Sequence, residues 1–246
     1  MYILIPNATG PTNIGDQAIL HGLLSLLRSK HPHAQIVIHS SDAELYADSD
    51  LLVKPHIYFW AIFEKPYFFS RISRSLQLAI AFLSLKIGLK PPCISHQLAD
   101  ILDDYARADL IVMNGGGYLR SQKGITQSLN VLMTLWLFGF AKMYKDKAII
   151  APTEFGPFAY RWQEVLSAQL LGGFRTVYIR SRYSFEKYAR HNKNAILSHD
   201  LALNIDNVSR AKTDDIFLLG FTIRNWLAPS AQKELEEGFA DAIVRF

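Results

Sequence analysis

The chain has 246 residues, half of them hydrophobic, a fifth charged and only one a cysteine, Cys93. That make-up is globular; it excludes an internal disulfide framework and a cysteine metal cluster, and it points to a reducing, cytoplasmic setting. The net charge of +4 comes from Lys and Arg scattered along the chain. Such a modest excess suits anionic small molecules or an anionic membrane surface, and not a nucleic-acid track, which needs a dense basic stripe.

The opening Met1-Tyr2-Ile3-Leu4-Ile5-Pro6 has neither a basic start nor a long apolar core, so Tyr2 to Ile5 reads as a strand and not as a signal peptide. Asn7 to Gly15 is a polar loop rich in Gly, Pro, Thr and Asn. Asp16 to Ser29 repeats Ile19, Leu20, Leu23, Leu24 and Leu27 at helical spacing, and Gln35 to His39 reads as a second strand. Strand, helix, strand is the opening of a doubly wound, mostly parallel α/β sheet of the Rossmann-like kind.

Leu51 to Pro92 breaks the rhythm. It carries Tyr58, Phe59, Trp60, Phe63, Tyr67, Phe68 and Phe69, then a helical run from about Ile72 to Leu89 with Arg71, Arg74, Lys86 and Lys90 in or beside it. One reading is an insertion packed on the sheet edge. The other is a surface over 58–90 that meets a membrane or a lipid-linked substrate, because such faces pair apolar anchors with cations. Leu76 to Leu89 is interrupted by Lys86 and is too short to span a bilayer, which needs about 20 residues.

Alternation then resumes. His96 to Arg107 is a helix, and Asp109 to Met113 is a short apolar strand of the kind buried on both faces of a parallel sheet. That strand stops at Asn114 and three consecutive glycines, Gly115, Gly116 and Gly117. Glycine lets a ligand approach the bare backbone, so the triplet is expected to be an open, ligand-facing loop at the strand's carboxyl end, where open α/β sheets bind. Ile125 to Ala141 is a very apolar helix that should be buried. Lys147 to Ala151 is a strand opening into the loop Pro152 to Phe158. Arg161 to Leu171 is a helix, Thr176 to Ile179 a strand, Tyr183 to Arg190 a helix, and Ala195 to Leu197 a short strand ending at His199-Asp200.

Residues 1–205 therefore form one Rossmann-like domain. Residues 206–215 are polar and read as a linker. Residues 216–246 hold a nearly unbroken apolar strand, 216–223, and a helix, 229–245. They read as the start of a second α/β domain cut short, the alternative being one more strand on the first sheet.

Four loops should project from one rim of the sheet: Asn13-Ile14-Gly15-Asp16, Asn114 to Gly117, Glu154-Phe155-Gly156-Pro157 and Arg180-Ser181-Arg182-Tyr183-Ser184. Their order and spacing resemble the polysaccharide pyruvyltransferase family, with its GNxGD-like motif, GGG loop, G-P loop, R-D-x-x-S motif and late Asp. The resemblance runs from Met1 to about Trp226. It implies transfer of pyruvate from phosphoenolpyruvate to a sugar as a cyclic ketal, on a cell-surface polysaccharide or its lipid-linked precursor. The implied fold is similar to the two-domain GT-B glycosyltransferases, and no cofactor is implied beyond the donor itself. Ser181 stands where the family usually has Asp, Thr12 stands where a glycine commonly precedes the Asn, and the family's C-terminal domain is expected to be mostly absent from these 246 residues.

Apart from the resemblance, the chemistry sets its own demands. Phosphoenolpyruvate carries a carboxylate and a phosphate, so its site needs guanidinium forks or backbone N–H groups. Ketal formation needs a proton at the methylene carbon, hydroxyl attack at C2 and stabilisation of the departing phosphate, hence an acid, a base and anion contacts. Asp16 and Glu154 are the candidate acid and base, Asp16 being equally suited to capping a helix. Arg180 and Arg224 each follow an apolar strand and can offer a fork to an anionic donor or form surface ion pairs. Asn13, Gly15, Asn114, Gly115, Gly116, Gly117, Ser184 and Asp200 are the candidate substrate contacts, Asp200 matching the family's late Asp. Arg182 reads as a solvated helix residue, and His21 and His199 as structural or solvated.

Two rivals use the same features. A GT-B nucleotide-sugar glycosyltransferase would share the rim and differ in donor. A non-catalytic remnant would bind glycan or a partner enzyme. A Rossmann dehydrogenase is disfavoured, since Asn7 to Asp16 lacks G-x-G-x-x-G, and no zinc-type cluster of His and Cys is present.

Overall fold

The computed structural model describes residues 1–10, 12–46, 51–57 and 68–204. The chain divides into two units, Met1–Asn207 and Val208–Phe246, and the described residues all belong to the first. The expected linker at 206–215, the strand and helix after it, Arg224 and the aromatic residues between 58 and 67 lie outside the described residues.

Among the described residues eight strands form one sheet, and every pairing in it is parallel. They are β1 (Tyr2–Ala8), β2 (Gln35–Ser40), β3 (Leu52–Pro55), β4 (Leu110–Met113), β5 (Gly116–Leu119), β6 (Ala148–Phe155), β7 (Thr176–Ile179) and β8 (Ala195–Leu197). The order is β3-β2-β1-β4-β6-β7-β8, with β5 paired to β6 further along the line of β4. Leu4 lies opposite Val37 on one side and Ile111 on the other. The chain first winds outward from β1 to β3 and then returns to build the other half from β4. This reversal puts a topological switch between β1 and β4, where a crevice opens at the strands' carboxyl ends.

Among the described residues the α-helices are α1 (Ile14–Lys30), α2 (Phe68–Lys86), α3 (His96–Arg107), α4 (Ile125–Lys142), α5 (Arg161–Leu171) and α6 (Arg182–Tyr188). Successive strand residues point to opposite faces, so the sheet feeds two cores. On one face Ile3, Ile5, Ile38 and Val112 pack against Leu20, Leu23, Leu24 and Leu27 of α1. On the other, Leu4, Val37, Ile111, Ile150 and Val177 meet Leu98 and Tyr105 of α3, Phe138 and Phe140 of α4, and Leu171 of α5. The doubly wound α/β architecture read from the sequence is the one observed.

Beneath α3 lies a buried polar knot. Asp104, 2% exposed, accepts from the Tyr2 hydroxyl at 2.5 Å, lies 2.9 Å from His39 Nε2 and takes the Lys54 ammonium at 2.8 Å. Burial pushes the Asp104 carboxyl up, but the donors from His39, Lys54 and Tyr2 outweigh it and hold the group down to about 2. Burial likewise holds the His39 ring below its ordinary 6.5, against the pull of Asp104.

Several expectations are corrected. The stretch after residue 51 contributes a regular third strand, β3, and is not simply an insertion. β1 runs through Asn7 and Ala8, into what the sequence suggested was loop. The glycine triplet is no open loop: Gly116 and Gly117 belong to β5, because β6 offers them a partner edge. Glu154 is likewise inside β6 and not in the loop after it. Finally α4 is not wholly buried; Leu129, Leu132 and Trp136 are exposed.

Candidate functional site

A parallel sheet brings all its carboxyl ends to one rim, so the four predicted loops do share an edge. They gather there into two groups.

The first sits at the switch between β1 and β4. The Asn114 backbone N–H donates to Asn7 Oδ1 at 2.6 Å, and Asn7 Nδ2 donates to the Asn114 carbonyl at 3.3 Å. Asn114 is fully buried, yet its own side-chain oxygen and nitrogen have no hydrogen-bond partner, and neither does the buried hydroxyl of Tyr118. The side chains of Thr9 and Asn114 lie close enough to that hydroxyl to favour its ionised form, against the larger effect of burial. Buried polar groups left open in this way are unusual and mark a place where a ligand can supply the missing partner. Burial, reinforced by the Asp16 charge, pushes the Tyr118 phenol upward, so it stays a proton donor.

Asp16 stands at the start of α1, but it is not the cap. Asn13 is: its Oδ1 accepts from the N–H groups of Gly15 at 3.1 Å and Asp16 at 3.4 Å. Asp16 is instead held by donors, the Asn13 amide at 2.8 Å and the Thr9 hydroxyl at 3.2 Å. Both contacts fall on Oδ2. Below them Gln17 Nε2 donates to the carbonyls of Thr9 and Gly10, each at 3.3 Å, and fixes the turn out of β1.

A cavity of about 260 Å³ opens beside this group. Thr9, Ser41, His56 and Tyr118 line one side; Asn130 and Thr134 of α4 line the other, with Leu137 and Phe138 as apolar wall. Burial draws the His56 ring down to about 4, so it is a neutral imidazole near pH 7. Thr9, Tyr118 and His56 escaped the sequence reading. Tyr118 follows the glycines directly, and that position was the one signal available.

The second group lies at the ends of β6 and β7. Glu154 Oε1 accepts from the hydroxyls of Ser181 at 2.7 Å and Ser184 at 2.5 Å, and Arg180 Nε lies 3.7 Å from Oε2. Arg180 Nη1 donates to Asp200 Oδ2 at 2.6 Å, and Asp200 Oδ1 accepts from the Ala202 N–H at 3.0 Å. Ser181 caps α6 by accepting from Ser184 N at 3.1 Å, so serine serves where the family carries Asp. The structure thus brings Glu154, Arg180, Ser184 and Asp200 together as one unit. Two carboxylates already face the one guanidinium. Ser184 Oγ also lies 2.8 Å from the Phe155 carbonyl, so its single proton has two acceptors in reach and the network has room for one more proton.

The glycines join the two groups by packing and not by facing solvent. A side chain on Gly115 would collide with the Pro152 carbonyl, and on Gly116, with φ of +145°, it would meet the Tyr118 ring at 2.7 Å. Gly115 and Gly116 are buried, and only Gly117 is partly exposed. Gly15 and Asn13 are exposed on the rim, as is His21 on α1, and Arg182 is solvated beside Glu186. Among the described residues no group of three or more His, Cys, Asp or Glu could hold a metal ion.

A doubly wound parallel sheet with carboxylates, amides and hydroxyls gathered along the rim at its strands' carboxyl ends defines a Rossmann-like protein. Residues 13–245 match the polysaccharide pyruvyl transferase family, and the chain belongs to that family. No curated protein and no solved structure matches the chain.

Proposed function

We propose that this protein moves the pyruvyl group of phosphoenolpyruvate onto two hydroxyls of a sugar, forming a ketal and releasing phosphate. The observation that carries the reading is the family match across nearly the whole chain. The rim chemistry supports it, because carboxylates and amides are the groups that grip sugar hydroxyls, and two carboxylates there can trade protons.

The reaction balances in atoms and protons. A proton adds to the methylene carbon of the donor and makes it a methyl group. One sugar hydroxyl attacks C2, the phosphate departs with the C–O bond pair, and the second hydroxyl closes the ring. Of the two hydroxyl protons released, one replaces the proton spent on the methyl group and the other leaves on phosphate. Asp16, bound through Oδ2 to Thr9 of the cavity wall, is assigned as the base on an acceptor hydroxyl. Glu154, in the proton-sharing network with Ser181 and Ser184, is assigned as the group that carries the proton to carbon. Asn13, Gly15 and Asn114 contact the acceptor. Arg180, held between Glu154 and Asp200, contributes one arm of its fork to the donor. No cofactor beyond the donor enters, the acceptor is a glycan or its lipid-linked precursor, and the location is cytoplasmic, where the donor is made.

The test is incubation with phosphoenolpyruvate and a panel of glycan acceptors, read by phosphate release and by the mass of the ketal product. Transfer from UDP- or GDP-sugars, with phosphoenolpyruvate inert, would assign the rim to a glycosyltransferase instead.

A further inference from the structure

We propose that the outer face of α2, α4 and α5 docks the protein onto an anionic lipid bilayer surface. Leu76, Leu83 and Ile87 recur at helical spacing along and just past α2, the latter two 61% and 70% exposed. Leu129, Leu132 and Trp136 do the same on α4, and Val165 and Leu166 on α5. Between them runs a groove of about 460 Å³, lined by Phe82, Leu132, Leu135, Trp136 and Leu166 with Lys86 and Lys142 beside them. Phe82 stacks on Trp136 at 5.5 Å and stiffens the groove. An apolar patch on this scale is not ordinary surface; it marks a contact.

Charge identifies the occupant. Neither α2 nor α4 contains a single Asp or Glu, and 65–99 and 110–145 are free of acid throughout. The same helices and the turn after α2 carry Arg74, Lys86, Lys90 and Lys142. The acid in α5, Glu164, is paired with Lys187 at 2.8 Å. An isologous dimer would press this basic patch against its own copy, which brings like charges together. An anionic bilayer offers the complement: hydrocarbon for the leucines and tryptophan, and headgroup charge for the cations, each cation near the surface contributing about 1 kcal/mol. No helix among the described residues is long and apolar enough to cross a membrane, so contact is made from one side.

The position gives the face a use. α4 is shared: Asn130, Thr134 and Phe138 line the rim cavity, while Leu132, Leu135 and Trp136 line the groove. Docking would hold the cavity at the height of a sugar carried on a lipid; this consequence rests on the proposed reaction, whereas the docking itself does not.

The experiment is co-sedimentation of the 246-residue chain with vesicles of phosphatidylglycerol and phosphatidylethanolamine, against vesicles of phosphatidylcholine alone. Wild type should bind the anionic vesicles, bind phosphatidylcholine weakly, and be released by salt. Leu83→Glu with Ile87→Glu should weaken binding roughly tenfold or more, since charge on the buried face opposes insertion. Leu45→Glu, at an equally exposed position elsewhere, should not. Circular dichroism and ketal formation on a soluble acceptor should be unchanged in the double variant, which separates this proposal from the catalytic one. Equal binding to both vesicle types, or no binding by wild type, overturns it. A wild-type dimer abolished by the double variant, without vesicle binding, would give the face to a second copy of the chain.

Discussion

Asn7 and Asn114, separated by 107 residues in sequence, close on one another at the point where the sheet reverses its order. Each uses one side of the pair differently: Asn7 spends its side-chain amide on the backbone of residue 114, and Asn114 keeps its own amide unspent in a fully buried place. The first fixes the geometry of the rim. The second, under the proposed reaction, is the group that the acceptor completes.

The pair yields a two-part prediction. Asn7→Ala leaves the Asn114 N–H buried without an acceptor and should cost about 1–3 kcal/mol of stability, measured by urea unfolding. Asn114→Leu removes an unsatisfied amide, so it should cost less than Asn7→Ala while weakening acceptor binding. A larger stability loss at Asn114 than at Asn7 would show that its side chain is a structural group.

The glycines should behave as packing residues. Gly116→Ala places a methyl group against the Tyr118 ring at a φ that side chains rarely adopt, so about 1–3 kcal/mol of destabilisation is expected. Gly117→Ala has ordinary room, its nearest neighbour being Arg120 at 3.6 Å, and should be nearly neutral in stability. Thermal melts of both variants decide it; equal melting temperatures would return the triplet to an open loop.

Glu154→Gln should fold normally, because the amide still accepts from Ser181 and Ser184, while transfer should fall by about a hundredfold or more for loss of a proton carrier. Arg180→Ala removes partly exposed ion pairs worth about 1 kcal/mol or less. It should nonetheless weaken phosphoenolpyruvate binding roughly ten- to a hundredfold, with Arg180→Lys recovering only part. Calorimetric titration separates the two roles: unchanged donor affinity in Arg180→Ala would mean that the guanidinium only holds Glu154 and Asp200 apart.

Acid should unfold the protein in two stages. His39 and His56 have lowered values in the folded state, so the unfolded chain binds their protons first. Their contribution is intact above about pH 6.5 and is lost as pH falls toward 4, the value to which His56 is drawn. Asp104, held to about 2 against an ordinary 3.8, contributes stability above pH 3.8 that is lost as pH falls through 2, about 2 kcal/mol in all. Asp104→Ala should cost about 1–3 kcal/mol at pH 7, because it leaves the buried His39 Nε2 and the Tyr2 hydroxyl without their partner, while Lys54 keeps Asp100. A stability profile flat from pH 7 to 4 would contradict the first stage.

Local signals were enough for much of the fold. The helices His96–Arg107 and Arg161–Leu171 and the strands Thr176–Ile179 and Ala195–Leu197 fall where periodicity and length placed them. Each is a short-range pattern in which a few neighbouring residues decide both state and face. β3 was missed because Leu52-Val53-Lys54-Pro55 has no pattern of its own and becomes a strand only by pairing with Val37 to Ser40. β5 was missed for the same reason: two glycines disfavour a strand until the edge of β6 supplies their partners.

The sequence by itself determined the alternation of strands and helices, the family, and that Asn13, Asp16, Glu154, Arg180, Ser184 and Asp200 would reach one rim, since parallel strands all end on the same side. Only the tertiary structure decided what these residues do to each other. It made Asn13 the cap and set Asp16 against Asn13 and Thr9, placed Arg180 between two carboxylates, and packed Gly116 against Tyr118. It also exposed one side of a helix whose composition promised burial. The physical reason is range: secondary structure is written in contacts a few residues apart, whereas hydrogen bonds such as Asn7 to Asn114, and the exposure of Trp136, depend on which distant elements the fold sets beside them.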